Sequence, residues 1–263
     1  MNRILTCAVF CLISFGTNAQ ILNAEAFQSQ NEPTEKWRGQ TAFGLNLDKQ
    51  ASLIYSAFTD VDVSYRIRNK SLLSASRMRV TGNGEELLLN GGFFHFRLRD
   101  NTGKNQLLEH YTQYQWDGIR GLKNRYILGS NIRQRVQHDS LGSLYAGFGV
   151  FYEFEQWGYA AVPAKRRPDL TEDIFKNLIK FNLYVRFFRK IAPNLRFSTV
   201  FYYQARPEYF FAEHRLAGNF ELIFQVSKNF EFRLNYDGIY DTAPVVPIDE
   251  FYFTLSNRFV FRF

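Results

Sequence analysis

The chain ends with EFYFTLSNRFVFRF, residues 250–263, in which large apolar and polar side chains alternate up to a final phenylalanine. Side chains of a β-strand point alternately to its two faces, so this stretch has one apolar and one polar face. The apolar face holds Phe251, Phe253, Leu255, Phe259, Phe261 and Phe263, and the polar face holds Thr254, Ser256, Arg258 and Arg262. The pattern predicts the closing strand of a membrane-spanning β-barrel, with one face toward lipid and the other toward water.

The same alternation recurs along the chain and predicts an all-β transmembrane antiparallel up-and-down barrel of about twelve strands, within a range of 10 to 14. The predicted strands lie near 36–47, 52–68, 71–80, 86–98, 106–117, 125–137, 143–155, 177–190, 195–205, 214–227, 229–240 and 250–263. A soluble β-sandwich also alternates, but its strands usually have about 5–6 residues. These segments are nearer the roughly 9–11 residues that cross a membrane at a tilt, which favours the barrel.

The connections between the predicted strands support the same topology. Short turns at 69–70, 138–142, 191–194 and 227–228 alternate with external loops at Asp48, 81–85, 118–124, 156–176, 206–213 and 241–249, and the turn at 99–105 is the one exception among the turns. Outer-membrane barrels have short turns on the periplasmic side and longer loops outside, so the C-terminus is predicted to face the periplasm. Aromatic residues near strand ends are candidates for the girdles at the two membrane interfaces, namely Trp37, Trp116, Trp157, Tyr240 and Phe263.

The N-terminus has the features of an export signal. Arg3 precedes a short apolar core, Ile4 to Phe15, and Ala19 ends a small-residue cleavage site. We therefore expect residues 1–19 to be a signal peptide, 20–35 a short periplasmic segment and 36–263 the outer-membrane barrel. Both cysteines of the chain fall within the signal, so no disulfide is expected in the mature protein. The predicted location is the bacterial outer membrane.

The charge of the chain indicates its partners. The formal net charge is +7, and the basic residues are spread along strands among aromatic and acidic residues. This distribution argues against nucleic acid and favours outer-membrane lipid and lipopolysaccharide as partners. The C-terminal strand ending at Phe263 further predicts recognition by the barrel-assembly machinery. We expect no cofactor, because the four histidines lack metal-ligand spacing and no glycine-rich phosphate loop is present.

The polar faces of the predicted strands are rich in arginine. The pore-lining candidates are Arg66, Arg68, Arg77, Arg79, Arg97, Arg133, Arg135, Arg186, Arg196, Arg233, Glu153 and Glu221. One interpretation is a filled or very narrow lumen in which opposite charges pair, because an unpaired charge in a poorly hydrated space is costly. The other is a cation-lined, porin-like passage that favours anions. A barrel of about twelve strands has room for either, and the filled lumen is the favoured interpretation.

Two further functions remain as alternatives. Outer-membrane acyl hydrolases use a His and a Ser two positions apart, and this chain has one such pair in His138-Asp139-Ser140. The pair lies in a predicted periplasmic turn, so we expect no catalytic residues and no enzyme activity. A receptor or adhesin could act through the long loop at 156–176, where Lys165, Arg166 and Arg167 are candidates for contact with lipopolysaccharide phosphates.

Three segments carry a resemblance to a known family. They are residues 107–114, LLEHYTQY, residues 147–155, GFGVFYEFE, and residues 234–241, LNYDGIYD. The third segment is followed by Pro244 and Pro247. From about Trp37 onward the chain resembles the salt-induced outer-membrane protein family, a group of small barrels with no established function. The resemblance implies an outer-membrane barrel and a link to envelope or osmotic stress. It brings no catalytic residues with it.

Overall fold

The computed structural model describes residues 36–49, 53–83, 86–103, 105–169 and 172–263, which form one closed antiparallel barrel of twelve strands. The strands are β1 (Trp37–Lys49), β2 (Leu53–Ile67), β3 (Lys70–Asn83), β4 (Glu86–Asn101), β5 (Gln106–Asp117), β6 (Leu122–His138), β7 (Gly142–Trp157), β8 (Ile174–Ala192), β9 (Leu195–Ala205), β10 (His214–Gln225), β11 (Phe230–Asp241) and β12 (Phe251–Arg262). The predicted signal peptide and periplasmic segment lie outside the described residues. The all-β barrel and its strand count are confirmed.

Each strand pairs with the next along the chain, and β1 pairs with β12 to close the sheet. The closing register joins Gln40 to Arg262, Thr41 to Phe261 and Ala42 to Val260. Closure gives the backbone N–H and C=O groups of both terminal strands partners within the sheet, which a membrane requires because its hydrocarbon offers none. None of the described helices is long and apolar enough to cross a membrane.

The two ends of the barrel differ as the sequence predicts. One end has the short turns between β2 and β3, β4 and β5, β6 and β7, β8 and β9, and β10 and β11. The other has the long loops after β7, β9 and β11, together with short connections after β1, β3 and β5. The connections at this second end contain three short 3-10 helices, at Gly118–Arg120, Ala164–Arg166 and Pro207–Tyr209. We refer to these as the short-turn end and the long-loop end.

Large apolar side chains cover the outer surface of the strands. Phe43, Leu128, Ile179 and Phe259 each expose between 62% and 68% of their area to the outside, although each is large and apolar. An exposed apolar surface of this extent needs an apolar surrounding, since a soluble monomer rarely exposes one. The alternation of exposed and buried residues along the strands therefore assigns one face to lipid and the other to the barrel interior.

Candidate functional site

Charged and polar side chains fill the barrel interior, and they meet across it. Tyr184 Oη of β8 donates to Glu109 Oε2 of β5 at 2.7 Å, although two strands separate β5 from β8. Arg77 of β3 lies 3.8 Å from Asp237 of β11, four strands away around the barrel. Contacts between strands that are not neighbours in the sheet can form only through the lumen. In the described part of the chain, the lumen is therefore bridged by side chains.

The long-loop half of the interior centres on two glutamates of β7. Glu153 and Glu155 are fully buried, and they are two residues apart, so both point inward. Lys180 Nζ lies 2.6 Å from Glu153, and Arg125 pairs with both glutamates. Arg215 of β10 reaches Glu155 at 3.2 Å and Glu153 at 3.7 Å. Each buried carboxylate thus has at least two cationic partners.

Near the middle of the barrel, Asp60 of β2 holds two arginines from different strands. Arg77 Nε donates to Asp60 Oδ1 at 2.9 Å, and Arg258 Nη1 donates to Asp60 Oδ2 at 2.5 Å. Beside them an apolar layer is formed by inward residues of β8 to β11, namely Tyr184, Val200, Tyr202, Ala217 and Ile239. The interior is therefore packed with side chains of both kinds rather than lined around an open channel.

The short-turn half contains more arginines than carboxylates. Glu109, which is fully buried, accepts from Arg99 at 2.6 Å and also contacts Arg97 and Arg133, each at 3.5 Å. Glu231 is likewise fully buried, and it pairs with the arginines of three strands, namely Arg196, Arg233 and Arg262. These two carboxylates thus share six arginines in the described interior.

The loops close the long-loop end with an apolar cluster. Trp157 at the end of β7 is 1% exposed, and it packs with Leu122, Val162, Val246 and Ile248. Val162 belongs to the β7–β8 loop, and Val246 and Ile248 belong to the β11–β12 loop, so two loops fold over the mouth. We call these five residues the loop plug. Trp157 was expected in an interfacial girdle, and that expectation is wrong, because Trp157 is buried beneath the loops. The loops have no alternating pattern, so the sequence did not predict that they cover it.

One arginine joins the loop plug to the charged interior. Arg120, in the 3-10 helix that follows β5, lies over the rings of Trp157 and Tyr252 at 5.5 and 5.6 Å. Its guanidinium is 3.8 Å from Asp241 of β11, the strand diametrically opposite β5 in the twelve-strand barrel. The side chain of Arg120 therefore links opposite sides of the barrel at this end.

Most of the residues predicted to line the lumen lie in the interior. Seven are buried there: Arg77, Arg97, Arg133, Arg186, Arg233, Glu153 and Glu221. Three are half-buried on inward positions: Arg79, Arg135 and Arg196. Arg66 keeps an inward position of β2 but is exposed at the short-turn end. The expectation for Arg68 is corrected, because it lies in the β2–β3 turn with φ of 53°. A turn residue leaves the alternation on which the prediction depended.

The sequence interpretation missed three cations of the long-loop half. Arg125 and Arg215 lie near the starts of β6 and β10, whose alternation continues through them, so the period-two signal was available. Arg120 lies in a loop and is placed only by the tertiary fold, which no sequence period reports. These three residues make several of the ion pairs in the long-loop half.

The basic residues of the β7–β8 loop are exposed, as a surface cluster requires. Lys165 and Arg166 belong to the 3-10 helix Ala164–Arg166, and Arg167 follows it. Arg166 pairs with Asp249 of the neighbouring loop at 2.8 Å, and Arg167 Nη2 donates to the carbonyl oxygen of Val162 at 3.1 Å. Two of the three residues thus hold the loops in place as well as facing outward.

The His138-Asp139-Ser140 segment is exposed: His138 ends β6, and Asp139 and Ser140 belong to the β6–β7 turn. Asp139 Oδ1 accepts from the backbone N–H groups of Leu141 and Gly142, each at 2.8 Å, and Oδ2 pairs with Arg189 at 2.9 Å. The backbone N–H donors and the arginine lower the pKa of this carboxyl below its usual range. Asp139 therefore caps the turn, and both its oxygens are engaged there rather than in orienting His138.

Comparison with known proteins yields similarity of fold alone. No model of a protein family matches the sequence, and no curated protein matches it. Among solved structures, the chain is similar to the NanC porin with 12% identity and a TM-score of 0.44, covering 86% of this chain and 97% of that one. The translocator domain of the autotransporter NalP from Neisseria meningitidis has 8% identity and a TM-score of 0.48, with 86% and 87% covered. A KdgM porin in complex with disordered oligogalacturonate has 9% identity and a TM-score of 0.37, with 86% and 96% covered.

Proposed function

We propose that the protein is an integral barrel of the bacterial outer membrane, with its short turns in the periplasm and a lumen closed by side chains. With the lumen closed, the role of the barrel is structural, and it does not serve as an open pore for hydrated solutes. The apolar outer surface and the alternation of short turns and long loops support the location. The partners we propose are outer-membrane lipid, lipopolysaccharide and, through the strand that ends at Phe263, the barrel-assembly machinery.

The observation that carries this proposal is the set of ion pairs that fill the lumen, some of which join strands that are not neighbours, such as Arg215 with Glu155 and Arg77 with Asp237. Glu109, Glu153, Glu155 and Glu231 are each fully buried and each held by two or more cations. Withdrawing all the partners of one of these carboxylates would leave a buried charge unpaired, which costs about 3–5 kcal/mol. Thermal motion alone therefore rarely opens such a network to a hydrated ion.

Conductance in planar lipid bilayers tests the closed lumen. We expect the purified barrel to show no steps above background, whereas an open 16-stranded porin inserted in the same way serves as the positive control. The triple variant Glu153→Gln, Glu155→Gln and Arg215→Gln removes one charged layer, and brief low-conductance openings are expected from it. Large, stable steps from the unaltered protein would contradict the proposal.

A small-solute passage that favours anions is the second candidate. It is favoured by the excess of arginine in the short-turn half. Passage would require the ion pairs to rearrange around the solute. Reversal potentials in a salt gradient measure the selectivity of any openings that occur, and a preference for cations would exclude this candidate.

Three further elements of the proposal rest on the sequence. We propose removal of residues 1–19 on export, which N-terminal sequencing of the mature protein would show as a start at Gln20. We propose the link to envelope or osmotic stress that the family resemblance implies, which growth of a deletion strain in high salt would test. A receptor role through Lys165, Arg166 and Arg167 remains a proposal, and lipopolysaccharide binding by a variant lacking these charges would test it.

A further inference from the structure

A cavity of about 700 Å³ opens at the short-turn end of the barrel. It lies among residues of β6 to β10, and Arg38 of β1 reaches it from the opposite side of the mouth. We call it the short-turn cavity. Its lining includes Arg38, Arg135, His138, Tyr145, Lys190 and Arg196. Its volume falls within the roughly 300–1,000 Å³ that is usual for small-molecule sites.

The lining of the short-turn cavity is strongly cationic. Four of its side chains are arginine or lysine, and Asp139 is the one carboxylate among its described lining residues. Both oxygens of Asp139 are already engaged, by the turn backbone and by Arg189. Asp139 therefore offsets little of the positive charge that faces the cavity.

The interior beneath the cavity adds to this positive charge. Glu109 and Glu231 lie in the same half of the barrel and share six arginines, including Arg196 of the cavity wall. In the long-loop half, by contrast, the named carboxylates and cations are equal in number: Asp117, Glu153, Glu155 and Asp241 against Arg120, Arg125, Lys180 and Arg215. In the short-turn half the arginines outnumber the described carboxylates even when the buried Asp62 and Glu221 are counted.

We propose that the short-turn cavity binds a small soluble anion that carries several phosphate or carboxylate groups. The planar guanidinium groups of Arg38 and Arg135 match such oxyanions in two-point hydrogen bonds, and Lys190 adds a mobile charge. Arg196 also lines the cavity, where its guanidinium is shared with Glu231 and Gln225. Low-dielectric walls strengthen the attraction by focusing the field into the cavity.

The other lining residues are suited to the carbon skeleton of such a ligand. Tyr145 and Phe188 are 8% exposed and line the cavity, as do Leu141 and Pro193. The guanidinium of Arg133 lies 4.0 Å from the centre of the Tyr145 ring, and this contact fixes the ring in the wall. A wall with cationic and apolar parts favours an organic anion over a bare inorganic ion.

Isothermal titration calorimetry tests the proposal on the full barrel in micelles of an uncharged detergent at low salt. The probes are pyrophosphate and citrate, one for each class of oxyanion. We expect the unaltered protein to bind at least one of them, with an affinity that falls as salt is added. The variant Arg135→Gln/Lys190→Gln should bind at least about tenfold more weakly, since two charge-assisted contacts are lost.

The matched control is Lys165→Gln/Arg167→Gln, which removes the same charge from the long-loop end. Its affinity should stay within about twofold of the unaltered protein. Lys190→Gln alone changes an exposed side chain, so it keeps the fold and should weaken binding about threefold. The proposal is overturned if neither probe binds, or if the control weakens binding as much as the cavity variant. It is also overturned if the barrel binds only anionic phospholipid added to the micelles and neither soluble probe. The readout does not depend on whether the lumen conducts.

Discussion

Replacing Arg215 by methionine should destabilise the barrel more than any comparable change at its surface. The side chain of Arg215 is 6% exposed, and it pairs with Asp241 at 2.8 Å and with Glu155 at 3.2 Å. Methionine has a similar length and no charge, so the substitution leaves Asp241 and Glu155 with fewer partners. It also removes the 3.7 Å contact with Glu153, which keeps Lys180 and Arg125. Loss of one partner from a buried ion pair costs about 3–5 kcal/mol.

The local structure sets the value within that range. Glu155 keeps Arg125 at 3.3 Å, and Asp241 keeps Arg120 at 3.8 Å, so neither carboxylate is left alone. We therefore expect a loss of about 3 kcal/mol in the free energy of unfolding, at the lower end of the range. Adding Asp241→Asn to Arg215→Met should recover about 1 kcal/mol, because one uncompensated charge disappears.

Urea unfolding in detergent micelles, followed by tryptophan fluorescence, measures these changes. The matched control is Arg166→Met, which breaks an ion pair of similar length with Asp249 whose side chains are 54% and 71% exposed. That pair is screened by solvent, so its loss should cost less than about 1 kcal/mol. Equal losses for Arg215→Met and Arg166→Met would refute the claim that burial determines the strength of these pairs.

Three further outcomes are expected. Gly121 has φ of 78°, and a Cβ there would lie 2.4 Å from a backbone oxygen, so Gly121→Ala should cost about 2 kcal/mol in urea unfolding, whereas Gly103→Ala, with open space around it, should be neutral. The pKa of Asp139 is lowered in the folded state, so this carboxyl stabilises the fold above its unfolded pKa of about 3.9, and the stabilisation is lost as pH falls through the folded pKa. The urea midpoint of the Asp139→Asn variant should therefore fall less between neutral and acid pH than that of the unaltered protein. Val246→Asp places a carboxylate in the loop plug, so acrylamide should quench Trp157 more strongly, and unchanged quenching would show that the plug is not packed as described.

The period-two pattern was sufficient to predict the barrel because every strand has the same requirement, an apolar face for lipid and a polar face for the interior. It located most of the interior arginines for the same reason, and no predicted strand end differs from the observed one by more than three residues. It failed at Arg68, where the chain turns, and at Trp157, which faces the interior beneath two loops. Alternation also does not give the distance across the lumen, so the partners of Glu109 and Arg120 required the structure.

The junction between β1 and β12 has a consequence for how the barrel assembles. Among the described residues, three registered pairs join these strands, with two further hydrogen bonds between Gly39 and Phe263, whereas β1 and β2 are in register along the whole of β1. Every other junction joins strands that follow each other in the chain, but this one joins its two ends. Forming this junction has the largest entropic cost of loop closure, because it joins the two ends of the chain. Among the described strand pairs, it also gains the fewest backbone hydrogen bonds to offset that cost. The junction should therefore form last during folding, open first on heating, and show the fastest amide hydrogen exchange of any strand pair.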